Sequence, residues 1–266
     1  MSIIVSSLIY YPIKACRGIE VESAEVECMG LVHDRRMMIV TERGDFLTQR
    51  EYPRLALVAP VIHDDNLTLF APGYDAIQLP IQRSGIPVPV NVWSSKNVQA
   101  IDQGDESAQW FSNWLGVSVK LVHIADDYKR RVNPQYAIHE DNHTGFADGY
   151  PILIASEESL VDLNQRLNNP VPMNRFRPNI VVKGCDPYAE DGWNKIRAGS
   201  VELAIVKPCA RCVVTTIDKD TLAKSKEPLK SLESYRRHGL GAIFGQNVIP
   251  VNGGRLSVGM NVDVIS

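Results

Sequence analysis

Long hydrophobic runs, an excess of basic residues and a disulfide framework are all missing from this sequence. Lysine and arginine number 28 against 31 acidic residues, for a formal net charge of -3, so no overall positive field favours nucleic acid. No stretch approaches the roughly 18 to 20 apolar residues of a spanning helix, and no basic segment followed by an apolar run opens the chain. We therefore expect a soluble cytoplasmic protein with no membrane span and no nucleic-acid partner.

Cysteine is scarce, and its distribution is informative. The odd number and wide scatter argue against paired disulfides, and free thiols suit a reducing cytosol. The five cysteines are Cys16, Cys28, Cys185, Cys209 and Cys212. The chain also has no Walker loop and no G-x-G-x-x-G segment, so the common binding motifs for mononucleotides and dinucleotides are absent.

The first half of the chain reads mostly as short strands bounded by turn residues. A helix is predicted over residues 106–115, with Trp110 and Trp114 on one face and Gly116 as its C-terminal cap. Residues 88–93 alternate in a way that suits an edge strand. The remaining predicted strands of this half cover residues 3–10, 36–40, 66–70 and 117–124.

The second half begins with a polar, irregular segment at residues 126–148, which is typical of a functional or mobile region. Ser156 is predicted to cap a helix that carries Leu160, Leu163 and Leu167. Strands are predicted at residues 151–155, 179–183, 201–207 and 211–217, with two more within 255–265. Many short strands with few helices indicate a mixed α+β, mostly β protein built from closed or nearly closed sheets.

A Cys-x-x-Cys pair, Cys209 and Cys212, stands out because Lys207 and Arg211 flank it and nearby cations lower the pKa of a thiol. The β-branched residues that follow favour a strand, whereas a thioredoxin-type dithiol starts a helix. Structural zinc needs four ligands, and only Cys185 and scattered histidines could complete such a site. Two buried, inert cysteines are the third alternative. From these residues alone, a metal ligand, a nucleophile and an inert pair all remain open.

Four polar or basic clusters lie where a loop meets a predicted strand, a common location for functional residues on a rigid scaffold. They contain Lys14, the pair Arg35 and Arg36, Arg177 with Asn179, and Asn247. Each cluster alone is a weak signal, because such a side chain is more often a solvated charge or a core residue.

The order of these clusters along the chain resembles the MOSC proteins, specifically the YcbX-type and amidoxime-reducing-component branch. The resemblance implies an N-terminal MOSC β-barrel domain over residues 1–122 and a MOSC domain over residues 123–266, which makes two β-barrel-like domains. The motifs that carry it are Tyr-Pro-Ile-Lys at 11–14, His-Asp-Arg at 33–35, Phe-Leu-Thr-Gln-Arg at 46–50, Asp-Gly-Tyr-Pro at 148–151, Phe-Arg-Pro-Asn at 176–179, Lys-Pro-Cys-Ala-Arg-Cys at 207–212 and Phe-Gly-Gln-Asn at 244–247.

The resemblance implies a molybdenum cofactor (Mo-molybdopterin), a pyranopterin dithiolene with a terminal phosphate. Cys212 would be the catalytic residue and the molybdenum ligand, while Cys209 would be structural. Arg211 and Lys207 would help to keep the Cys212 thiol ionised. Ala15 and Ala210 stand where family members often carry serine. The implied cofactor-binding residues are Lys14, Arg35, Arg131, Asp148, Arg177, Asn179, Arg211 and Asn247.

The implied reaction is a two-electron reduction of small N-hydroxylated compounds, namely amidoximes, hydroxylamines and N-hydroxylated bases, as in detoxification. Because the chain has too few cysteines for an iron–sulfur cluster, electrons would come from a separate ferredoxin, flavodoxin or cytochrome-type protein with its reductase. No iron–sulfur cluster and no pyridoxal phosphate are expected. The alternatives are a non-turnover carrier of the cofactor or of sulfur that uses Cys212, and a dithiol redox protein that uses Cys209 and Cys212.

Overall fold

The computed structural model describes residues 2–239 and 241–266. Short strands dominate these ranges, and the predicted mostly β fold is confirmed. The α-helices are α1 (Asp105–Leu115), α2 (Glu157–Gln165) and α3 (Leu229–Tyr235). In chain order the strands are β1 (Ile4–Tyr10), β2 (Ile19–Val21), β3 (Ser23–Glu27), β4 (Gly30–Leu31), β5 (Met37–Thr41), β6 (Ala59–His63), β7 (Asn66–Ala71), β8 (Tyr74–Pro80), β9 (Val88–Val92), β10 (Ser95–Asp102), β11 (Val119–Ile124), β12 (Ile152–Ser156), β13 (Ile180–Lys183), β14 (Lys195–Ala198), β15 (Val201–Ala210), β16 (Arg237–His238), β17 (Gly241–Pro250), β18 (Gly254–Ser257) and β19 (Val262–Val264).

The largest sheet joins the two ends of the chain. Over the described residues its strand order is β19-β14-β15-β17-β12-β13-β1-β2, with β16 paired to β17. Leu8 of β1 lies opposite Ile180 of antiparallel β13, and Ile154 of β12 lies opposite the same residue in parallel register. These three side chains are buried in one core. The division after residue 122 stays a prediction, and the sheets do not follow it, because β1 and β2 belong to the sheet of the second half.

The first half adds two further sheets, ordered β5-β11-β10-β9 and β6-β7-β8. Strand β9 lies at an edge, as its alternating pattern predicts. Helix α1 buries Trp110, Phe111 and Trp114 in a core with Ile39 and Leu121. The short sheet β18-β3-β4 pairs strands of both halves, and its buried Val26, Leu31 and Leu256 lie in the core of the largest sheet.

The two predicted helices are present with the predicted caps. Gly116 adopts a left-handed conformation at the end of α1, where a side chain would be strained. The Ser156 side chain accepts a hydrogen bond from the Ser159 backbone N–H at the start of α2. Helix α3, which buries Leu232, lacks a side-chain cap and was not predicted. None of the helices in the described ranges is long and apolar enough to span a bilayer.

The prediction of a strand at residues 211–217 is wrong. Strand β15 ends at Ala210, and Val213–Thr216 forms a 3-10 helix. The Thr215 hydroxyl donates to the Cys212 carbonyl at 2.9 Å, and the Thr216 hydroxyl donates to the Val213 carbonyl at 2.8 Å. Because these hydroxyls satisfy carbonyls locally, the chain turns despite its β-branched side chains. The turn places Cys212 at its start, facing the interface between the two halves.

Candidate active site

A cavity lies between the two halves, and it gathers residues that are far apart in sequence. Eight of the nine predicted site residues line it, namely Lys14, Arg35, Asp148, Arg177, Asn179, Arg211, Cys212 and Asn247. Its wall also contains Phe46, Leu47, Thr48, Gln49, Arg50, Trp93, Tyr150, Arg175, Phe176 and Cys209. The resemblance supplied the eight residues, and the fold brings them together in one place.

Cys212 is a free, half-buried thiol at the start of the 3-10 helix. The Thr215 backbone N–H and hydroxyl both donate to its carbonyl, so the backbone that carries the thiol is fixed. Its Sγ makes no hydrogen bond to any described residue. Free thiols of this kind are soft ligands that suit soft metals once they are deprotonated.

The cations next to the Cys-x-x-Cys pair do not lie where the sequence suggested. Arg211 donates from Nη1 to the Sγ of Cys209 at 2.8 Å and from Nη2 to the Phe176 carbonyl at 2.5 Å. The Lys207 ammonium lies 4.6 Å from the ring centre of Tyr136. Arg211 therefore bonds directly to the Cys209 thiol. No hydrogen bond joins Arg211 or Lys207 to the Cys212 Sγ among the described residues, so these contacts do not support the expectation that the two cations keep the Cys212 thiol ionised. Strand β15 is irregular here, with register shifts near Lys207 and Pro208, so simple alternation misplaces these side chains.

Lys14 and Asp148 form an ion pair in another part of the cavity wall. The Lys14 ammonium also donates to the Phe146 carbonyl at 2.8 Å, and the Trp93 indole N–H donates to Asp148 at 2.9 Å. Desolvation raises the pKa of Asp148, but the Lys14 charge and the hydrogen bonds from Lys14 and Trp93 outweigh it and hold the pKa well below its usual range. Burial lowers the pKa of Lys14 against the opposing effect of Asp148. Asp148 is therefore a fixed carboxylate at neutral pH.

Arg130 was missed by the sequence analysis, which selected its neighbour Arg131. The buried Arg130 guanidinium donates to the carbonyls of Gly145, Ala147 and Asp148 at 2.6, 2.7 and 2.9 Å, and so shapes the loop that carries Asp148. Arg131 is exposed and does not line the cavity, so its assignment as a cofactor neighbour is corrected. Successive side chains of an extended segment point to opposite sides, so Arg130 shares a side with the buried Val132. That alternation is the signal that could have identified it.

The guanidinium groups of Arg35 and Arg177 lie over the aromatic ring of Tyr11, and each guanidinium carbon is 4.1 Å from the ring centre. Arg35 pairs with Asp34 at 2.7 Å and donates to the Asn179 side chain at 3.0 Å. Asn179 in turn donates to Asp34 at 2.9 Å, so it fixes the position of this cluster. Both arginines have positive φ, 46° and 58°, a strained conformation that is common at functional sites.

Lys219, which the sequence analysis did not identify, joins the two halves near Cys212. Lys219 donates to the Gln49 side chain at 2.7 Å and to the Val214 carbonyl at 2.9 Å, while Gln49 donates to the Ala15 carbonyl. Burial, together with Arg177 and Arg175, lowers the pKa of Lys219 to about 7. The motif Asp-Lys-Asp at residues 218–220 looks like an exposed turn, so no local signal predicts this role.

The charge of the cavity favours an anionic ligand. Among the described residues its wall contains six cationic side chains, Lys14, Arg35, Arg50, Arg175, Arg177 and Arg211, and one acidic side chain, Asp148. Arginine binds phosphate through two parallel hydrogen bonds, and lysine binds it as a point charge. The Arg211 Nε is buried and has no hydrogen-bond partner among the described residues. These observations fit a phosphorylated cofactor.

The donor set also bears on the kind of metal centre. The described ranges contain no group of three or more His, Cys, Asp or Glu side chains that could hold a metal ion. Cys185, the third thiol that the zinc alternative required, lies beside Glu158 and does not line the cavity. A metal at Cys212 would therefore need most of its ligands from a cofactor. Such a requirement fits a dithiolene, which brings two sulfurs of its own.

Comparisons with known proteins agree with this architecture. The MOSC N-terminal beta barrel domain matches residues 2–118, and the MOSC domain matches residues 141–263. Mitochondrial amidoxime-reducing component 1 of Mus musculus is 39% identical over 272 residues, which cover 96% of this chain and 80% of that protein. The Homo sapiens component 1 is 37% identical, with 96% and 81% covered. Component 2 of Rattus norvegicus is 40% identical, with 87% and 72% covered. This chain belongs to the MOSC-domain family of amidoxime-reducing components.

Proposed function

We propose that this protein reduces N-hydroxylated compounds with a molybdenum cofactor held between its two halves. The names of its relatives support an N-reductive function. The observation that carries the proposal is the free Cys212 thiol in a cavity to which both halves contribute cations. The family supports the proposed substrate class, and the family together with the chemistry of the cavity wall supports the proposed cofactor.

The residues of the cavity have distinct roles in this proposal. Cys212 would hold the metal, and Lys14, Arg35 and Arg177 would bind the phosphate and the pterin. Asn179 would keep Arg35 in position through the hydrogen bonds described above. When bound, the cofactor supplies the two electrons that reduce the N–O bond. The aromatic side chains Phe46 and Trp93, packed 4.8 Å apart, would exclude water from this end of the site.

Proton supply is constrained by the Lys14–Asp148 pair. Reduction of a hydroxylamine, R–NHOH, to an amine consumes two electrons and two protons and releases one water. Asp148 cannot donate a proton near neutral pH, because its pKa lies well below the usual range. It would instead accept a hydrogen bond from a ligand N–H. Lys14 holds a proton at Nζ, and its lowered pKa makes that proton easier to release than from an ordinary lysine.

We further propose that electrons come from a separate ferredoxin, flavodoxin or cytochrome-type protein with its reductase, and that the protein acts in the cytoplasm. Reconstitution with purified donors of each class tests the first point, since a cognate donor should replace an artificial reductant. Fractionation of the source cells tests the second, since the protein should remain in the soluble fraction. Recovery in a membrane or organelle fraction would reject the cytoplasmic location.

Metal and pterin analysis is the direct test of the cofactor. The protein is produced in a host that makes the cofactor, and molybdenum and the fluorescent oxidised pterin are quantified. Cys212→Ser should lose molybdenum, whereas Cys209→Ser should retain it. If both variants retain equal metal, Cys212 is not the ligand.

Turnover separates the reductase from the alternatives. Metal-replete protein is mixed with reduced viologen and benzamidoxime, and benzamidine is measured. Turnover that Cys212→Ser abolishes supports the proposal. Metal-replete protein without turnover would instead be a carrier, and dithiol activity lost equally in both cysteine variants would favour the redox alternative.

A further inference from the structure

A thiol–imidazole pair lies outside the cavity, where an exposed turn of the first half meets a buried segment of the second half. Cys28 is exposed in the two-residue turn between β3 and β4. Its Sγ lies 3.6 Å from the Nε2 of His143, a residue 115 positions away in sequence. A hairpin turn holds the thiol, and a buried segment holds the imidazole, so neither partner depends on a long flexible side chain to reach the other.

The hydrogen bonds of His143 determine which ring nitrogen faces the thiol as an acceptor. The Nδ1 of His143 lies 2.6 Å from the Asp141 carbonyl, which can only accept a hydrogen bond. The proton of the neutral ring therefore resides on Nδ1, and the lone pair of Nε2 points to Cys28. A nucleophile within reach of a base that a third group orients is the usual arrangement of an activated thiol.

Arg36 adds a positive charge to this pair. Its side chain is 7% exposed and donates to Glu27 at 3.2 Å. Its Nη1 is buried and has no hydrogen-bond partner among the described residues. Burial lowers the pKa of Arg36, while Glu27, Asp34 and Cys28 act in the opposite direction, so the guanidinium lies within electrostatic range of Cys28.

We propose that Cys28 is a modification site at which the thiol exchanges with a low-molecular-weight disulfide. His143 takes the thiol proton at Nε2, and the Cys28 sulfur attacks one sulfur of the disulfide. The new sulfur–sulfur bond forms as the old one breaks, and the other sulfur leaves as a thiolate that recovers the proton. Cys28 is oxidised and the leaving sulfur is reduced, so no further oxidant is needed. The proposal is independent of the reductase activity.

The other cysteines outside the cavity provide internal references. Cys16 is fully buried, and burial raises the pKa of its thiol to about 12. Cys185 is half-buried beside Glu158, and desolvation and the nearby carboxylates raise the pKa of its thiol to about 11. Neither thiol should compete with Cys28. Cys209 and Cys212 line the cavity and are resolved from Cys28 by peptide mass.

The test uses the full-length protein as purified, with oxidised glutathione as the probe. Free thiols are blocked with N-ethylmaleimide at timed intervals, and each cysteine peptide is quantified by mass spectrometry. Cys28 should be modified before Cys185 and Cys16. His143→Gln should slow the reaction roughly tenfold, since an ordinary thiol is only a few per cent ionised near neutral pH. His139→Gln, at an exposed histidine of the same segment, is the matched control and should leave the rate unchanged.

Modification of Cys28 no faster than Cys185, or an unchanged rate in His143→Gln, would overturn the proposal. Reaction of the buried Cys16 reports loss of structure in any variant. If His143→Gln does not fold, the unsubstituted protein provides a second test, in which the native and urea-unfolded states are compared. Native Cys28 should react faster than the same residue in the urea-unfolded chain, and an equal or slower native rate would reject activation by the fold.

Discussion

Two groups of side chains at the cavity differ in how completely their polar groups are satisfied. In the first group, which we name the Asp148 end (Lys14, Trp93 and Asp148, with Arg130 behind the wall), each side chain is bonded to protein partners. Lys14 and Trp93 hold the Asp148 carboxylate, and Arg130 holds three carbonyls of the loop. Nothing at this end requires a ligand to complete it.

The second group, which we name the thiol end (Cys209, Arg211 and Cys212), is incomplete without a ligand. The Cys212 Sγ makes no hydrogen bond to a described residue, and the buried Nε of Arg211 has no partner there either. A buried unsatisfied donor costs free energy unless a ligand or water fills the gap. The difference teaches that the Asp148 end is held by protein contacts before any ligand binds, while the thiol end is completed by a ligand. Substitutions at the two ends should therefore separate stability from metal content.

The largest loss of stability is expected at the Asp148 end from Arg130→Gln. The substitution removes the donor for three carbonyls, and each unsatisfied buried acceptor costs on the order of 1 kcal/mol or more. We expect the free energy of unfolding to fall by about 3 kcal/mol. Urea unfolding followed by tryptophan fluorescence measures it, and cofactor content should fall as well because the loop carries Asp148.

Arg131→Gln is the matched control, because Arg131 is adjacent in sequence but exposed. A surface substitution of this kind changes stability by less than about 0.5 kcal/mol. Equal losses in the two variants would mean that the loop does not depend on Arg130. The comparison between the two ends would then lose its main support.

The adjacent arginines also show how far the sequence could predict this site. The resemblance identifies residues with fixed motifs, such as Lys14 and Cys212, because each motif keeps its order along the chain. It misplaces Arg131, because the choice between neighbours depends on which side of the segment is buried. Attention to Val132, which is apolar and therefore expected to be buried, would have favoured Arg130.

Other features had no local signal at all. The pairing of β1 with β13 joins Leu8 to Ile180, and hydrophobic alternation cannot specify a partner so far away in sequence. Lys219 looks solvated in an acidic turn, and only tertiary packing buries it. The strand predicted at residues 211–217 failed for a different reason, because threonine hydroxyls stabilise the local turn against the β preference of the side chains.

Lys219 connects the thiol end to the first half, and its charge should make the stability of the apo protein depend on pH. Its folded pKa of about 7 lies below the ordinary value of 10.5. Between these values the unfolded chain binds the proton and the folded chain does not, so stability rises with pH by at most about 1.4 kcal/mol per pH unit. Lys219→Met should remove this rise between pH 7 and pH 10. Urea unfolding at a series of pH values measures the difference.

Lys224→Met is the control for Lys219, since Lys224 is an exposed lysine of the same loop. It should keep the pH slope of the wild type. A wild-type slope that survives in Lys219→Met would show that Lys219 stays charged in the folded protein and is not the source of the pH dependence.

A smaller effect of the same pH sign, but in a more acidic window, is expected from Asp148→Asn at the Asp148 end. The folded pKa of Asp148 lies below its unfolded value near 3.9, so the group stabilises the fold above about pH 4 and loses this effect as the pH falls. The variant should be slightly less stable than the wild type at pH 7, and the two should converge below pH 4. Asp127→Asn, at an exposed carboxylate, should follow the wild type throughout.

The smallest effect on folding, and the sharpest test of the comparison, is expected from Cys212→Ser. Because the Cys212 Sγ has no hydrogen bond to lose, the apo variant should match the apo wild type within about 0.5 kcal/mol in urea unfolding. Cys209→Ser should cost more, since the shorter serine side chain moves the acceptor away from Arg211, which donates to the Cys209 Sγ at 2.8 Å. Metal content should show the reverse order, with Cys212→Ser losing metal and Cys209→Ser keeping it. If the thiol end needs a ligand to complete it, the Cys212 thiol should contribute little to folding stability and be essential for metal binding. A large loss of apo stability in Cys212→Ser would make that thiol part of the core and remove the distinction between the two ends.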